Sequence, residues 1–271
     1  MSDPVGTRSA VVLGWPVGHS KSPVMHNAAF AKLGIDALYS ALAVEPSELG
    51  PAIARLRTIG PVGASITVPH KTAVIEHCDE ITPAAKTIGA VNTLEFRDDG
   101  SICGHNTDAP GYVRALHDAT GILANGLRVV LLGGGGAARA VAHGLAEAGA
   151  DLRLIARTPS KVTWMHAEPW QAEVLAECLA TCDLLVDCTS MGLDAKRESE
   201  IPSAIPLERM PKGGIVSTLV YHRETKLLSD AKELGLEQVD GSGMLLFQGV
   251  IAFEIWTRQS APVEVMRAAL S

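Results

Sequence analysis

The chain has 271 residues, 47% hydrophobic and 20% charged, with 23 Lys and Arg against 30 Asp and Glu for a formal net charge of −7. At roughly 150 residues per domain this makes about two domains or one large one, long enough to bury a core without disulfide or metal staples. Collagen-like, coiled-coil and disordered classes are excluded by this composition, and the acidic balance argues against sequence-independent binding to nucleic acid or an anionic membrane surface.

In chain order, Met1-Ser2-Asp3-Pro4 lacks the basic-then-apolar order of a secretory signal. A first strand is expected at Val11 to Gly14. Ser22-Pro23 then reads as an N-cap with proline at the first helical position, and Gly34 closes that helix. Leu38 to Leu42 is a strand, Glu48 to Thr58 a helix and Val62 to Thr67 a strand. Val91 to Phe96 and Ser101 to Cys103 form a hairpin around Asp98-Asp99-Gly100. A helix follows from Ala109 to Ala119.

The second half begins with Val129-Val130-Leu131-Leu132, four glycines and a helix from Ala137 to Ala148. Strands are predicted at Leu152 to Ala156, Leu184 to Asp187, Ile215 to Val220 and Glu237 to Val239. Helices are predicted at Glu224 to Leu234, Met244 to Trp256 and Val263 to Leu270. Alternation of this kind specifies an α/β architecture with parallel sheet. No apolar run reaches the roughly 18 residues of a membrane helix. Five cysteines without a Cys-x-x-Cys pair read as buried thiols of a reducing, cytoplasmic protein, with Cys178 and Cys182 one helical turn apart and core-facing. Histidine spacing indicates no metal site. Trp164, Met165 and Trp170 read as interdomain or surface packing.

Gly133-Gly134-Gly135-Gly136-Ala137-Ala138 fits the dinucleotide fingerprint, between an apolar strand and an amphipathic helix. The first glycine permits the tight turn, the second lets a pyrophosphate approach the backbone, and the small residue at Ala138 lets helix and strand pack closely. Free N–H groups and the helix dipole then face the phosphates. The next strand ends at Ala156-Arg157-Thr158, with no acid to hold a ribose 2′-OH. An arginine there suits a 2′-phosphate and favours NADP over NAD; the alternative is a solvated strand-end charge.

The first half carries four polar stretches. Ser20-Lys21-Ser22-Pro23 puts two hydroxyls at a helix start, a suitable cradle for a carboxylate. Ser65-Ile66-Thr67-Val68-Pro69-His70-Lys71 lies at a strand's C-terminal end, where open α/β sheets bind ligands. Gly89-Ala90-Val91-Asn92-Thr93 and Gly104-His105-Asn106-Thr107-Asp108 follow. Each taken singly is equally consistent with turn chemistry.

Together and in this order, with Gly133 to Ala138, Thr189-Ser190-Met191-Gly192, Asp240-Gly241-Ser242-Gly243-Met244-Leu245, Gln248 and Trp256-Thr257, these stretches resemble the shikimate dehydrogenase family over nearly the whole chain. The resemblance implies an α/β protein of two domains: an N-terminal substrate domain, 1–108, completed by the C-terminal helices in 241–271, and a Rossmann-type NADP-binding domain, 109–240. It implies NADP-dependent interconversion of 3-dehydroshikimate and shikimate in aromatic amino-acid biosynthesis, by a monomer or homodimer. By matching position, Lys71 and Asp108 are the expected catalytic pair. Ser20, Ser22, Ser65, Thr67, Asn92, Asp108, Tyr221 and Gln248 are the expected substrate contacts. Gly133, Gly134, Gly135, Gly136, Ala137, Ala156, Arg157, Thr158, Thr189, Ser190, Met191, Leu219 and Gly241 are expected along the cofactor.

Several positions depart from the family pattern. Ser65 and Ala156 stand where asparagine is common, and Asp187, Thr218, Arg223 and Arg258 replace the usual Asn, Asp, Pro and Gly. A quinate/shikimate paralogue with relaxed substrate or NAD use, and a catalytically silent dinucleotide sensor, are the competing readings. The chemistry itself is simple: a ketone that accepts hydride needs a proton as charge develops on its oxygen. A lysine ammonium held by a carboxylate can supply it, whereas the bland reading of Lys71 and Asp108 is a plain salt bridge.

Overall fold

The computed structural model describes residues 7–193 and 204–270; the Met1-Ser2-Asp3-Pro4 segment lies outside them. The chain divides into two compact units, Met1–Gly111 with Leu246–Ser271, and Tyr112–Leu245.

The first unit runs β1 (Arg8–Gly14), α1 (Ser22–Leu33), β2 (Ala37–Ala43), α2 (Leu49–Ile59), β3 (Gly63–Ile66), β4 (Glu80–Ile81), α3 (Pro83–Ile88), β5 (Thr93–Phe96) and β6 (Ile102–His105). Its sheet has the order β2-β1-β3-β5-β6-β4. Only β5 runs against its neighbours, because the β5–β6 hairpin inserts it beside β3. Alternation along the strands sends Val11 and Leu13 to one face, where they pack with Leu49, Ile53 and Leu56 of α2. The opposite face carries Tyr39, which meets His26 of α1. Strand β2 is an edge, and Asn27 of α1 blunts it: its amide Nδ2 donates to the Tyr39 carbonyl (2.9 Å) and its Oδ1 accepts from the Tyr39 N–H (2.7 Å).

Two helices are shared between the units in sequence. Helix α4 (Asp108–Thr120) leads out of the first. In the second come β7 (Arg128–Leu132), α5 (Gly136–Glu147), β8 (Asp151–Ala156), β9 (Glu168–Pro169), α6 (Ala172–Leu179), β10 (Leu184–Asp187), β11 (Ile215–Thr218), α7 (Lys226–Glu233) and β12 (Glu237–Val239). Helix α8 (Ser242–Thr257) then returns to the first unit, and α9 (Val263–Ala268) follows it. The second sheet is parallel in the order β12-β11-β10-β7-β8-β9. Val129 and Leu131 of β7 pack toward α4 and α5, Val130 and Leu132 toward α6 and α7, so both faces are covered.

Three expectations need correction. Ser22 is the first helical residue, not the cap; Lys21 occupies the cap position without a side-chain bond, and the Ser20 hydroxyl accepts from the Ser22 N–H at 3.3 Å. Cys182 lies beyond α6, which stops at Leu179, so it shares no helix turn with Cys178 although both are buried. Trp170 belongs to the core under α6, whereas Trp164 and Met165 pack on the opposite side of that sheet. All five cysteines are free, and burial raises each thiol's pKa, that of Cys182 to about 12. Among the described residues no helix is long and apolar enough to cross a membrane.

Candidate active site

In the first unit the polar cluster is assembled from strand ends. Gly14 ends β1, and a Cβ there would lie 2.4 Å from Thr67 Cγ2, so glycine is what lets the turn after β3 close against β1. The Thr67 N–H donates to the Leu13 carbonyl (2.9 Å) and the His70 N–H to the Thr67 carbonyl (2.9 Å). Buried His70 pins the turn a second time: its Nε2 is 2.7 Å from the Val44 carbonyl, which requires the proton on that nitrogen. Lys71 accepts through its carbonyl from the Val91 N–H (2.8 Å), tying the lysine to the residue before Asn92.

From this anchored backbone Lys71 Nζ donates to Asp108 Oδ2 at 2.7 Å. The other carboxylate oxygen, Oδ1, accepts from Asn92 Nδ2 at 2.9 Å. Asp108 opens α4, where the helix dipole favours a carboxylate. Asn106 caps that helix: its Oδ1 accepts from the N–H groups of Asp108 (3.1 Å) and Ala109 (3.2 Å), while its Nδ2 donates to the Ala90 carbonyl (3.0 Å). Asn92 is 2% exposed and fully engaged, its Oδ1 accepting from the Thr107 N–H (2.7 Å) and the Thr93 hydroxyl (3.1 Å). The lysine side chain keeps 30% of its surface accessible and the aspartate 10%, so the pair sits at the rim of a buried network rather than within it.

Ser20, Ser22, Ser65, Thr67 and Gln248 belong to the same unit, Tyr221 to the other. Gln248 is brought close to α4 by Gly111, where a Cβ would lie 2.8 Å from the Gln248 nitrogen. Asn106, Thr93 and His70 are the residues whose supporting roles were not assigned from sequence. Asn106 had a readable signal, an asparagine two places before a helix. His70 had none, since its partner Val44 is 26 positions away.

In the second unit the turn after β7 combines tight and open glycines. Gly133 has φ +97, a conformation that L side chains rarely adopt, and a Cβ there would be 2.9 Å from Thr189 Cγ2. Gly134 faces Val162, and its carbonyl accepts from Trp164 Nε1 at 3.2 Å. At Gly135 and Gly136 a Cβ would meet nothing within 4 Å. Neither backbone conformation nor packing demands glycine at these two places, so the backbone at the start of α5 lies open. Ala137 follows in the first turn of α5. Asp187 Oδ1 accepts from the Thr189 N–H (2.9 Å), and Thr189 Oγ1 from the Met191 N–H (3.1 Å), shaping the turn through exposed Ser190. Thr218 Oγ1 accepts from the Val220 N–H (3.3 Å) beside Leu219. Gly241 lies against this segment, where a Cβ would be 2.1 Å from the Leu219 carbonyl oxygen. Ala156 is buried at the end of β8, and Arg157 and Thr158 beyond it are exposed.

Glu95, Cys103 and His105 on the β5–β6 hairpin also bring ligand-type atoms within 4.8 Å of one another. The Glu95 carboxylate is occupied there by Arg258 and by His105 Nε2 at 2.9 Å.

The parallel sheet follows the strand order 3-2-1-4-5-6 of dinucleotide-binding folds, with its switch point between β7 and β10. That strand order, with an open glycine turn at the end of β7, makes this an α/β protein of the dinucleotide-binding class. Residues 12–94 match the shikimate dehydrogenase substrate binding domain and residues 241–270 the shikimate 5'-dehydrogenase C-terminal domain. A shikimate dehydrogenase (NADP(+)) of Methanothermobacter thermautotrophicus is 42% identical over 96% of this chain and 94% of its own length. The structure of shikimate 5-dehydrogenase from Thermus thermophilus in complex with NADP(H) and shikimate is similar with a TM-score of 0.84 and 36% identity, covering 97% of this chain and 98% of that one. That of the Listeria monocytogenes enzyme in complex with shikimate and NAD gives a TM-score of 0.88 at 33% identity, over 100% and 99%. The chain belongs to the shikimate dehydrogenase family.

Proposed function

We propose that this protein is an NADP-dependent oxidoreductase that interconverts 3-dehydroshikimate and shikimate, a step of aromatic amino-acid biosynthesis. The observation that carries the reading is the contact of Lys71 Nζ with Asp108 Oδ2 at 2.7 Å, with Asn92 on the second carboxylate oxygen. Bound NADPH supplies the hydride. Lys71 delivers the proton to the carbonyl oxygen as it gains charge, and in the reverse direction its neutral amine takes the proton from the alcohol. Asp108 orients the ammonium, and its remaining lone pairs accept from a substrate hydroxyl. Ser20 and Ser22 cradle the substrate carboxylate, while Ser65, Thr67, Tyr221 and Gln248 bind the rest of the ring acid; Asn92, expected as a further contact, has its amide taken up by Asp108, Thr93 and Thr107 and serves substrate by fixing the aspartate.

Gly133 to Ala137 hold the pyrophosphate at the N-terminus of α5. Ala156 to Thr158, Thr189 to Met191, Leu219 and Gly241 line the remainder of the dinucleotide. Arg157 pairs with the 2′-phosphate; it is exposed and makes no ion pair among the described residues. We place the enzyme in the cytoplasm on the strength of its five free thiols. It acts as a monomer or homodimer, and Asn27 on the edge of β2 argues against assembly through that strand.

The test is the rate of reduced-cofactor formation from shikimate and from quinate, each with NADP and with NAD. Shikimate with NADP should be the fastest pairing. A clear preference for quinate or NAD would move the assignment to the paralogue, and no turnover in any pairing would leave only nucleotide binding. Lys71→Ala should lower kcat by about 100-fold or more while shikimate binding, read by calorimetry, changes far less; near-normal turnover would remove Lys71 from its role.

A further inference from the structure

Tyr39 is 1% exposed, and its hydroxyl is buried with no hydrogen-bond partner in ordinary geometry. A buried hydroxyl left in this state is uncommon and costs stability, so its surroundings matter. In the register of the first sheet, Tyr39 of β2 lies opposite Ala10 of β1, and Ser65 of β3 lies opposite Val12 of β1. Their side chains therefore project from the same face, the one that α1 covers with Ser22 at its first residue. The Ser22 and Ser65 hydroxyls lie beside the phenol but fall short of a well-formed bond with it. Both serines are themselves almost buried, at 7% and 6% exposure. His26 stacks on the phenol ring at 4.5 Å with the planes 8° apart, which holds the ring and so the direction of its hydroxyl.

We propose that Tyr39 is a positioning residue for substrate: its one hydroxyl proton is shared between the Ser22 and Ser65 oxygens, so that the Ser22 proton turns toward the carboxylate of the bound ring acid and the Ser65 proton toward an oxygen on its ring. The inference rests on the proposed reading of Ser22 and Ser65 as substrate contacts. The phenol has the right character for a fixed donor, because burial raises its pKa and keeps its proton in place. A chain in which one hydroxyl donates to a second, and the second to a carboxylate, strengthens each bond in turn. The phenol never touches substrate, so its effect passes entirely through the serines.

Tyr39→Phe removes only the oxygen and keeps the ring on His26. Its KM for shikimate should rise about five- to tenfold, the size of one hydrogen bond, with kcat within about twofold. The thermal midpoint of the protein without substrate should be unchanged or higher, since an unpaired buried hydroxyl is lost. Ser65→Ala should raise KM less in the Tyr39→Phe background than alone, because the two substitutions break one chain. An unchanged KM, additive effects, or a lowered thermal midpoint that accounts for the change would each overturn the proposal. If the unmodified enzyme turned over no shikimate, the functional reading would fall with it. If that enzyme is active and Tyr39→Phe matches it, only the role of Tyr39 falls.

Discussion

His26 is wholly buried on α1, among Tyr39, Phe30, Phe253 and Trp256, with neither ring nitrogen hydrogen-bonded. Desolvation lowers its pKa from 6.5 to about 3. Between those values the unfolded chain binds a proton that the folded chain refuses, so stability falls as pH drops from about 6.5 toward 3. The loss is on the order of 5 kcal/mol at its limit. His26→Leu should flatten this dependence, measured as urea midpoints at neutral pH and at successively lower pH down to 4; a slope equal to that of the unmodified protein would show that other groups govern it. Lys71 and Asp108 are the contrasting case at the same scale, an ion pair at 2.7 Å whose side chains keep 30% and 10% of their surface accessible. Both residue types were readable in the sequence because they sit in distinctive polar stretches. His26 was not, because nothing in Met25-His26-Asn27 tells which face of the helix will be covered by α8.

Elements were legible where chemistry repeats over several residues. Strands β10 and β12 were expected at the bounds they have, and the α4, α5 and α7 boundaries fell within two residues. The two-residue strands β4 and β9 and the six-residue helix α3 escaped, since so few residues show no period. Ser22 was misread as a cap for a related reason: Ser20, two places earlier, competes for the same role. The residue before α8 is a glycine whose packing reason no local period reveals. Gly241 approaches the Leu219 carbonyl, where a Cβ would lie 2.1 Å from the oxygen and 2.4 Å from the carbon. Both are backbone atoms that cannot rotate away. Gly241→Ala should cost about 2–3 kcal/mol, seen as a lower thermal midpoint; a midpoint within about a degree of the unmodified protein would mean that α8 shifts freely.

At the scale of the molecule, the first unit is built from the two ends of the chain. Leu246, Phe247, Val250 and Phe253 of α8 are buried there, Trp256 lies over Gly63, and the Trp256 Nε1 donates to the Leu94 carbonyl at 2.9 Å. Lys21 Nζ reaches the Leu270 carbonyl at 3.1 Å. Burial of each large apolar side chain is worth about 1.5–3 kcal/mol, so the C-terminal segment contributes as much as a whole domain's net stability. A chain ending at Leu245 should be cut by protease throughout residues 7–111 while residues 112–245 resist. Equal resistance of both regions would show that the first unit folds without its C-terminal helices.

Local patterns in the sequence determined the α/β class, the glycine turn after β7, the absence of an acid beyond β8 and the residue types of the site, because period, caps and turn glycines act between neighbours. Tertiary structure alone decided that Lys71 meets Asp108 across 37 positions and that Tyr39 stands behind Ser22 and Ser65. Those meetings depend on strand register and on which helix covers which face, and both are settled by packing between segments far apart in the chain.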